Sequence, residues 1–106
     1  MIEKSEVLYV TLDSVGVGSV QFTARKARTL TRVTKVTVEM AVTSSGRVSL
    51  FRVGQFLTSM PVAPRMEATG DEGLYQSEFL TGLVENGPIS TQVKFTFFYT
   101  EEPVDP

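Results

Sequence analysis

The sequence predicts an all-β fold, an antiparallel β-sandwich or jelly roll of seven to eight short strands. Three observations predict it. Apolar residues recur with period two: Val36, Val38, Met40 and Val42 alternate with Thr37, Glu39, Ala41 and Thr43, and Val93, Phe95, Phe97 and Tyr99 alternate with Lys94, Thr96, Phe98 and Thr100. Turn-forming clusters punctuate the chain at short intervals, at Val15–Gly18, Ser44–Gly46, Pro61–Pro64, Gly70–Gly73 and Asn86–Pro88. No stretch sustains a period of 3.6 residues. A chain of 106 residues with 42% apolar and 21% charged residues can close one core without covalent staples.

The strands follow in order. Glu6–Leu12 is apolar on both sides, Leu8 and Val10 alternating with Val7 and Tyr9. Gly18–Thr23, Leu30–Val33 and Val36–Val42 come next, then Arg47–Val53, Arg65–Thr69, Leu74–Leu80 and the aromatic Val93–Thr100. Two hairpins can be set by register. A turn at Ser45-Gly46 places Val38 opposite Val53, Met40 opposite Phe51, Val42 opposite Ser49 and Glu39 opposite Arg52. A turn at Gly70–Gly73 places Arg65 opposite Glu78 and Ala68 opposite Tyr75. That leaves Val48, Leu50 and Phe98 pointing outward, where a second sheet, a loop or another subunit would cover them. One domain is expected over residues 1–100, with a polar tail at 101–106 whose prolines do not suit a central strand.

Composition removes several chemistries. The chain has no Cys and no His, so disulfides, thiolate catalysis, zinc ribbons and the usual neutral-pH acid–base group are excluded. Val15-Gly16-Val17-Gly18 lacks the third glycine and the following helix of a phosphate loop, and reads as a hairpin turn. Asp71 and Glu72 supply too few oxygens for calcium. Glu67 and Glu78 fall on opposite faces of the second hairpin, and Glu39 and Glu78 each face an arginine, which suits neither as a raised-pKa acid. No catalytic residue, metal site or cofactor is expected. The N-terminus shows no secretory pattern, and no apolar run is long enough for a membrane helix.

Charge is uneven. Residues 1–53 carry eight basic and four acidic side chains, and residues 54–106 carry two basic and eight acidic. Either the fold mixes the two halves on one surface, or copies pair head to tail. The basic cluster Arg25, Lys26, Arg28, Arg32 and Lys35 follows Phe22. A solvated loop or an acidic protein partner explains it better than nucleic acid, because the whole chain is acidic and only one aromatic is near. Met60-Pro61-Val62-Ala63-Pro64 is stiff and apolar, either a crossover between sheets or an arm packing on a neighbour. The expected contact residues are therefore Arg25, Lys26, Arg28, Arg32, Met60, Pro61, Val62, Pro64 and Phe98.

The His- and Cys-free chain, the alternation Thr34-Lys35-Val36-Thr37-Val38-Glu39-Met40, the Gly-rich turn and the aromatic last strand Val93–Tyr99 together resemble small all-β virion structural proteins of tailed bacteriophages. The resemblance implies a non-enzymatic capsid decoration (cement) or tail component. Such a component would assemble in the host cytoplasm, act in the virion, and work by self-association or by binding a capsid or tail. The alternative from sequence is a monomeric sandwich that binds a glycan or peptide through an exposed Tyr.

Overall fold

A computed structural model describes residues 2–41 and 44–104. Among these residues eight strands run β1 (Lys4–Thr11), β2 (Gly18–Thr23), β3 (Thr29–Met40), β4 (Arg47–Arg52), β5 (Gln55–Pro61), β6 (Arg65–Leu74), β7 (Phe79–Glu85) and β8 (Gln92–Pro103). They form two four-stranded antiparallel sheets, β1-β8-β3-β6 and β2-β7-β4-β5. We call these the first and second sheets. The pairs β1:β8, β2:β7, β3:β6 and β4:β5 are those of one long hairpin rolled around a core, which is a jelly roll. The expected fold class is therefore the observed one.

Alternation places the core. Val36, Val38 and Met40 of β3 stand opposite Phe97, Phe95 and Val93 of β8, and all six are buried. From the second sheet, Phe22, Leu80, Val84, Val48 and Leu50 meet them. Phe22 stacks on Phe97 at 5.0 Å between centroids, and Phe95 lies 6.3 Å from Phe97. A glycine sits in the middle of β7 because a Cβ at Gly82 would lie 2.4 Å from Cε2 of Phe95.

Several local expectations give way. Ser44–Gly46 does not close a hairpin, because β3 belongs to the first sheet and β4 to the second. Val38, Val48 and Leu50 all face the core, so two alternating strands satisfy each other by facing across the sandwich as well as by pairing side by side. The parity of β4 is inverted relative to the expected register. Val48 and Leu50 point inward with Arg52, and Phe51 points outward. Val42, placed opposite Ser49, lies outside the described residues.

The hairpin that does form turns at Val53-Gly54, between Arg52 and Gln55, and creates β5, a strand absent from the expected set. Both turn residues have positive φ, 48° and 81°, as a two-residue type I′ loop requires. Gly70–Gly73 is not a turn either. β6 runs through it along the edge of the first sheet, and the extra residues make a bulge opposite Thr34. Arg65 consequently stands opposite Glu39, not Glu78. The chain reverses later, at Tyr75–Glu78, where the Glu78 amide donates to the Tyr75 carbonyl at 3.0 Å. Leu74–Leu80 is thus the end of β6, a turn and the start of β7.

Val15–Val17 lie in a turn and Gly18 opens β2, but the turn links β1 and β2 of different sheets. Gly16 has φ 74°, and a Cβ there would strike the Gly87 backbone of the β7–β8 loop. At the C-terminus, Glu101–Pro103 continue β8 rather than forming a tail. Pro103 is tolerated because β1 begins at Lys4, opposite Tyr99, so no β1 residue flanks it. The Val104 amide donates to Arg28, which turns the Pro103 nitrogen to that open side. Asp105 and Pro106 lie outside the described residues.

Candidate interaction surface

The expected contact residues do not converge on one patch. Arg25, Lys26 and Arg28 are exposed in the loop between β2 and β3. Arg32, on β3, donates to Asp71 at 2.7 Å and to Glu102 at 3.2 Å. These two carboxylates raise its already high pKa further, Asp71 the more strongly. Lys35 caps the ring of Phe98, 4.4 Å from its centroid, so Phe98 is half-buried rather than open. Phe22 is buried under Phe97 and offers no stacking platform. Met60 and Pro61 end β5, and Val62–Pro64 carry the chain from the second sheet to the first, which is the crossover reading. Val62 and Ala63 pack against the core.

The charge asymmetry is met inside the molecule. Each of the seven ion pairs among the described residues joins a group from residues 1–53 to one from residues 54–106. This is the mixed-surface reading. It follows from the rolled hairpin, which lays the two halves of the chain strand against strand. Lys4 and Lys26 both reach Glu101. The hydrogen bond from Lys4 holds the Glu101 carboxyl below its usual pKa and raises that of Lys4.

Among the described residues, clefts open between the sheets at two places. One, of about 180 Å³, is lined by Glu6, Phe22, Lys26, Tyr99 and Glu101 among others, and Glu6 Oε2 is buried there with no hydrogen-bond partner among the described residues. The other, of about 190 Å³, lies between β5 and β6 over Val36, Leu50, Leu57, Ala68 and Leu80. No group of three acidic side chains able to hold a metal ion occurs among the described residues. Glu67 and Glu78 are not partners across a hairpin. Glu67 stands on β6 opposite Thr37, and Glu78 precedes β7, bound to Arg52.

The open apolar surface lies elsewhere. On the outer face of the first sheet Val7 and Tyr9 are 41% and 58% exposed. On the outer face of the second sheet Phe56 is 57% exposed and rests edge-on against Phe51, with Val53 beside them in the hairpin turn. The double-sided apolar character of the first strand signalled the former in the sequence. The latter was hidden with β5.

One turn carries a pH-sensitive contact. Asp13 Oδ1 accepts the Val15 amide at 2.9 Å and the Val17 amide at 3.0 Å. These bonds, that from Val17 first, depress the Asp13 pKa. A depressed carboxyl contributes stability that is present above its unfolded pKa and lost as pH falls through the folded one. Asp13→Asn keeps an acceptor oxygen but loses the charge. The expected result is a lower Tm than wild type near neutral pH and a gap that closes in acid, read from thermal melts across pH. A gap independent of pH would remove the charge from the account.

No protein-family model and no curated protein matches the chain. Among solved structures, it resembles an insecticidal delta-endotoxin, Cry8Ea1 of Bacillus thuringiensis, at 11% identity and a TM-score of 0.45. That match covers 94% of this chain and 20% of the toxin. It also resembles dimeric latent PorU of Porphyromonas gingivalis at 14% identity and a TM-score of 0.44, over 97% of this chain and 13% of PorU. The chain thus spans a small part of either protein.

Proposed function

We propose that the chain is a non-enzymatic structural subunit that acts through contacts with copies of itself or with a larger protein assembly. The setting proposed is the virion of a tailed bacteriophage, as a capsid decoration or tail component assembled in the host cytoplasm. The observation that carries the reading is the open apolar surface, Val7 and Tyr9 on one sheet and Val53 and Phe56 on the other. Apolar side chains grouped on an outer face, rather than scattered singly, mark contact sites. The two-sheet roll supplies a stiff platform for them. Jelly rolls serve in capsids and in lectins alike, so the fold is compatible with the reading but does not select it.

The alternative is a monomeric module for a glycan or peptide, and it draws on Tyr75, 55% exposed in the turn between β6 and β7. One measurement separates the two. Size-exclusion chromatography with light scattering at micromolar concentration is expected to give a multiple of 11.7 kDa, or co-migration with particles from the native source. A monomer that binds no such particle overturns the assembly reading.

A further inference from the structure

We propose that β1 is a docking edge at which two copies of this chain pair antiparallel. The pairing would join their first sheets into one continuous sheet across a two-fold axis at Leu8. The inference rests on the assembly reading for its partner, a second copy, and deepens it by naming the contact.

The edge is open in a defined way. Among the described residues β1 pairs only with β8, from Lys4 opposite Tyr99 to Thr11 opposite Gln92, without a register shift. The Leu12 amide donates to the Thr91 carbonyl at the end of this ladder. Backbone groups alternate sides along a strand, so Ser5, Val7, Tyr9 and Thr11 turn their N–H and C=O groups away from β8. Those groups form a ready template for another strand.

The other edges are blunted. β6 carries Arg65, Glu67, Asp71 and Glu72 and the bulge opposite Thr34. β5 is bulged at Leu57 and ends in Pro61. The Val62 amide donates to Gly46, which turns the proline nitrogen to the open side, where no donor is available. β2 has only six residues and starts at Gly18. β1 has eight residues with no Pro, no Gly and no bulge. Its charges lie on the inner face, where Lys4 binds Glu101 and Glu6 lines a cleft. Its outward side chains, Ser5, Val7, Tyr9 and Thr11, are uncharged.

The strand is also complementary to itself. Outward residues must oppose outward residues, or one copy would turn its core face to solvent. Centring the two-fold on Leu8 sets Val7 opposite the partner's Tyr9 twice and Ser5 opposite the partner's Thr11 twice. Aromatic against β-branched is a favourable cross-strand pair. Centring on Val7 would oppose Tyr9 to Ser5, and centring on Tyr9 would oppose Val7 to Thr11. Only the Leu8 centre gives both valine–tyrosine pairs, and within β1 it sets no like charges opposite each other.

Because the chain has no Cys, single cysteines report the contact cleanly. Leu8 on the axis falls in a non-hydrogen-bonded pair, whose Cβ atoms approach within reach of a disulfide. Under mild oxidation Leu8→Cys is expected to form a covalent dimer, and Ser19→Cys on the β2 edge is not. Val7→Cys and Tyr9→Cys, both at exposed positions, are expected to cross-link when mixed and not when separate, which covers the case that Leu8→Cys fails to fold. Tyr9→Lys is expected to weaken association about tenfold, with an unchanged circular dichroism spectrum. Folded cysteine variants that cross-link no faster than Ser19→Cys overturn the docking edge. So does a Tyr9→Lys chain that associates like wild type. If wild type is oligomeric in that result, the assembly reading stands without this contact. A wild-type chain that is monomeric and binds no particle overturns both.

Discussion

Replacing Phe95 by alanine is expected to cost about 3–5 kcal/mol of folding free energy, the upper range for truncation of a buried side chain. The ring is fully buried and lies beside Phe97, which in turn stacks on Phe22 from the opposite sheet. Domains of this size are stable by about 5–15 kcal/mol, so the variant will be partly unfolded or close to it. A gentler pair of substitutions tests the same packing inside the measurable range. Gly82→Ala sets a methyl group 2.4 Å from Phe95 Cε2, and the ring is held too closely to move aside. Overpacking of this kind costs about 1–3 kcal/mol. Phe95→Leu shortens the side chain that obstructs the methyl group. The double variant is therefore expected to be more stable than the two single losses imply, with a coupling of at least about 0.5 kcal/mol. Urea titrations followed by far-ultraviolet circular dichroism give the midpoints, at unchanged slope. Strict additivity would mean that Gly82 is tolerated for some reason other than the ring above it.

That contact also shows where sequence reading stops. The pattern of β8 and β3 places Phe95, Phe97, Val36 and Val38 on one face, and the structure puts them in the core. Nothing local says that Gly82 lies under Phe95, because that closeness belongs to two strands in different sheets. The same limit explains the misplaced hairpins. A period of two fixes which side chains share a face, but not whether the neighbour lies beside the strand or across the core. Gly-Asp-Glu-Gly has turn chemistry and forms a bulge, while the real loop uses Val53, a branched residue seldom held at φ 48°. Without that loop β5 stays hidden, and with it Phe56 and the apolar group on the outer face of the second sheet. The doubly apolar β1 was legible because it needs no partner to be recognised. Its role as an edge came only with the sheet order.

Arg52→Ala is the second large effect expected, a loss of about 1.5–3 kcal/mol, the range for hydrogen bonds that involve a charged group. Arg52 leaves β4 on the inner side of the second sheet and reaches β6 of the first. Its Nε and Nη2 donate to the Gly73 carbonyl at 3.3 and 2.9 Å, and Nη2 also donates to Glu78 Oε1 at 3.1 Å. Glu78 in turn accepts the Tyr75 amide at 2.8 Å, so the guanidinium holds both the facing sheet and the turn that returns the chain from it. Core contacts between the sheets are apolar and without direction, whereas this fork fixes how one sheet sits over the other at its rim. The side chain is 29% exposed, so screening by solvent is partial. Arg52→Lys is expected to restore less than half of the loss, because a single ammonium cannot reproduce the planar fork toward both acceptors. Denaturation midpoints of the two variants against wild type decide it. An Arg52→Ala chain within about 0.5 kcal/mol of wild type would place Arg52 among ordinary surface residues and leave the alignment of the sheets to apolar packing alone.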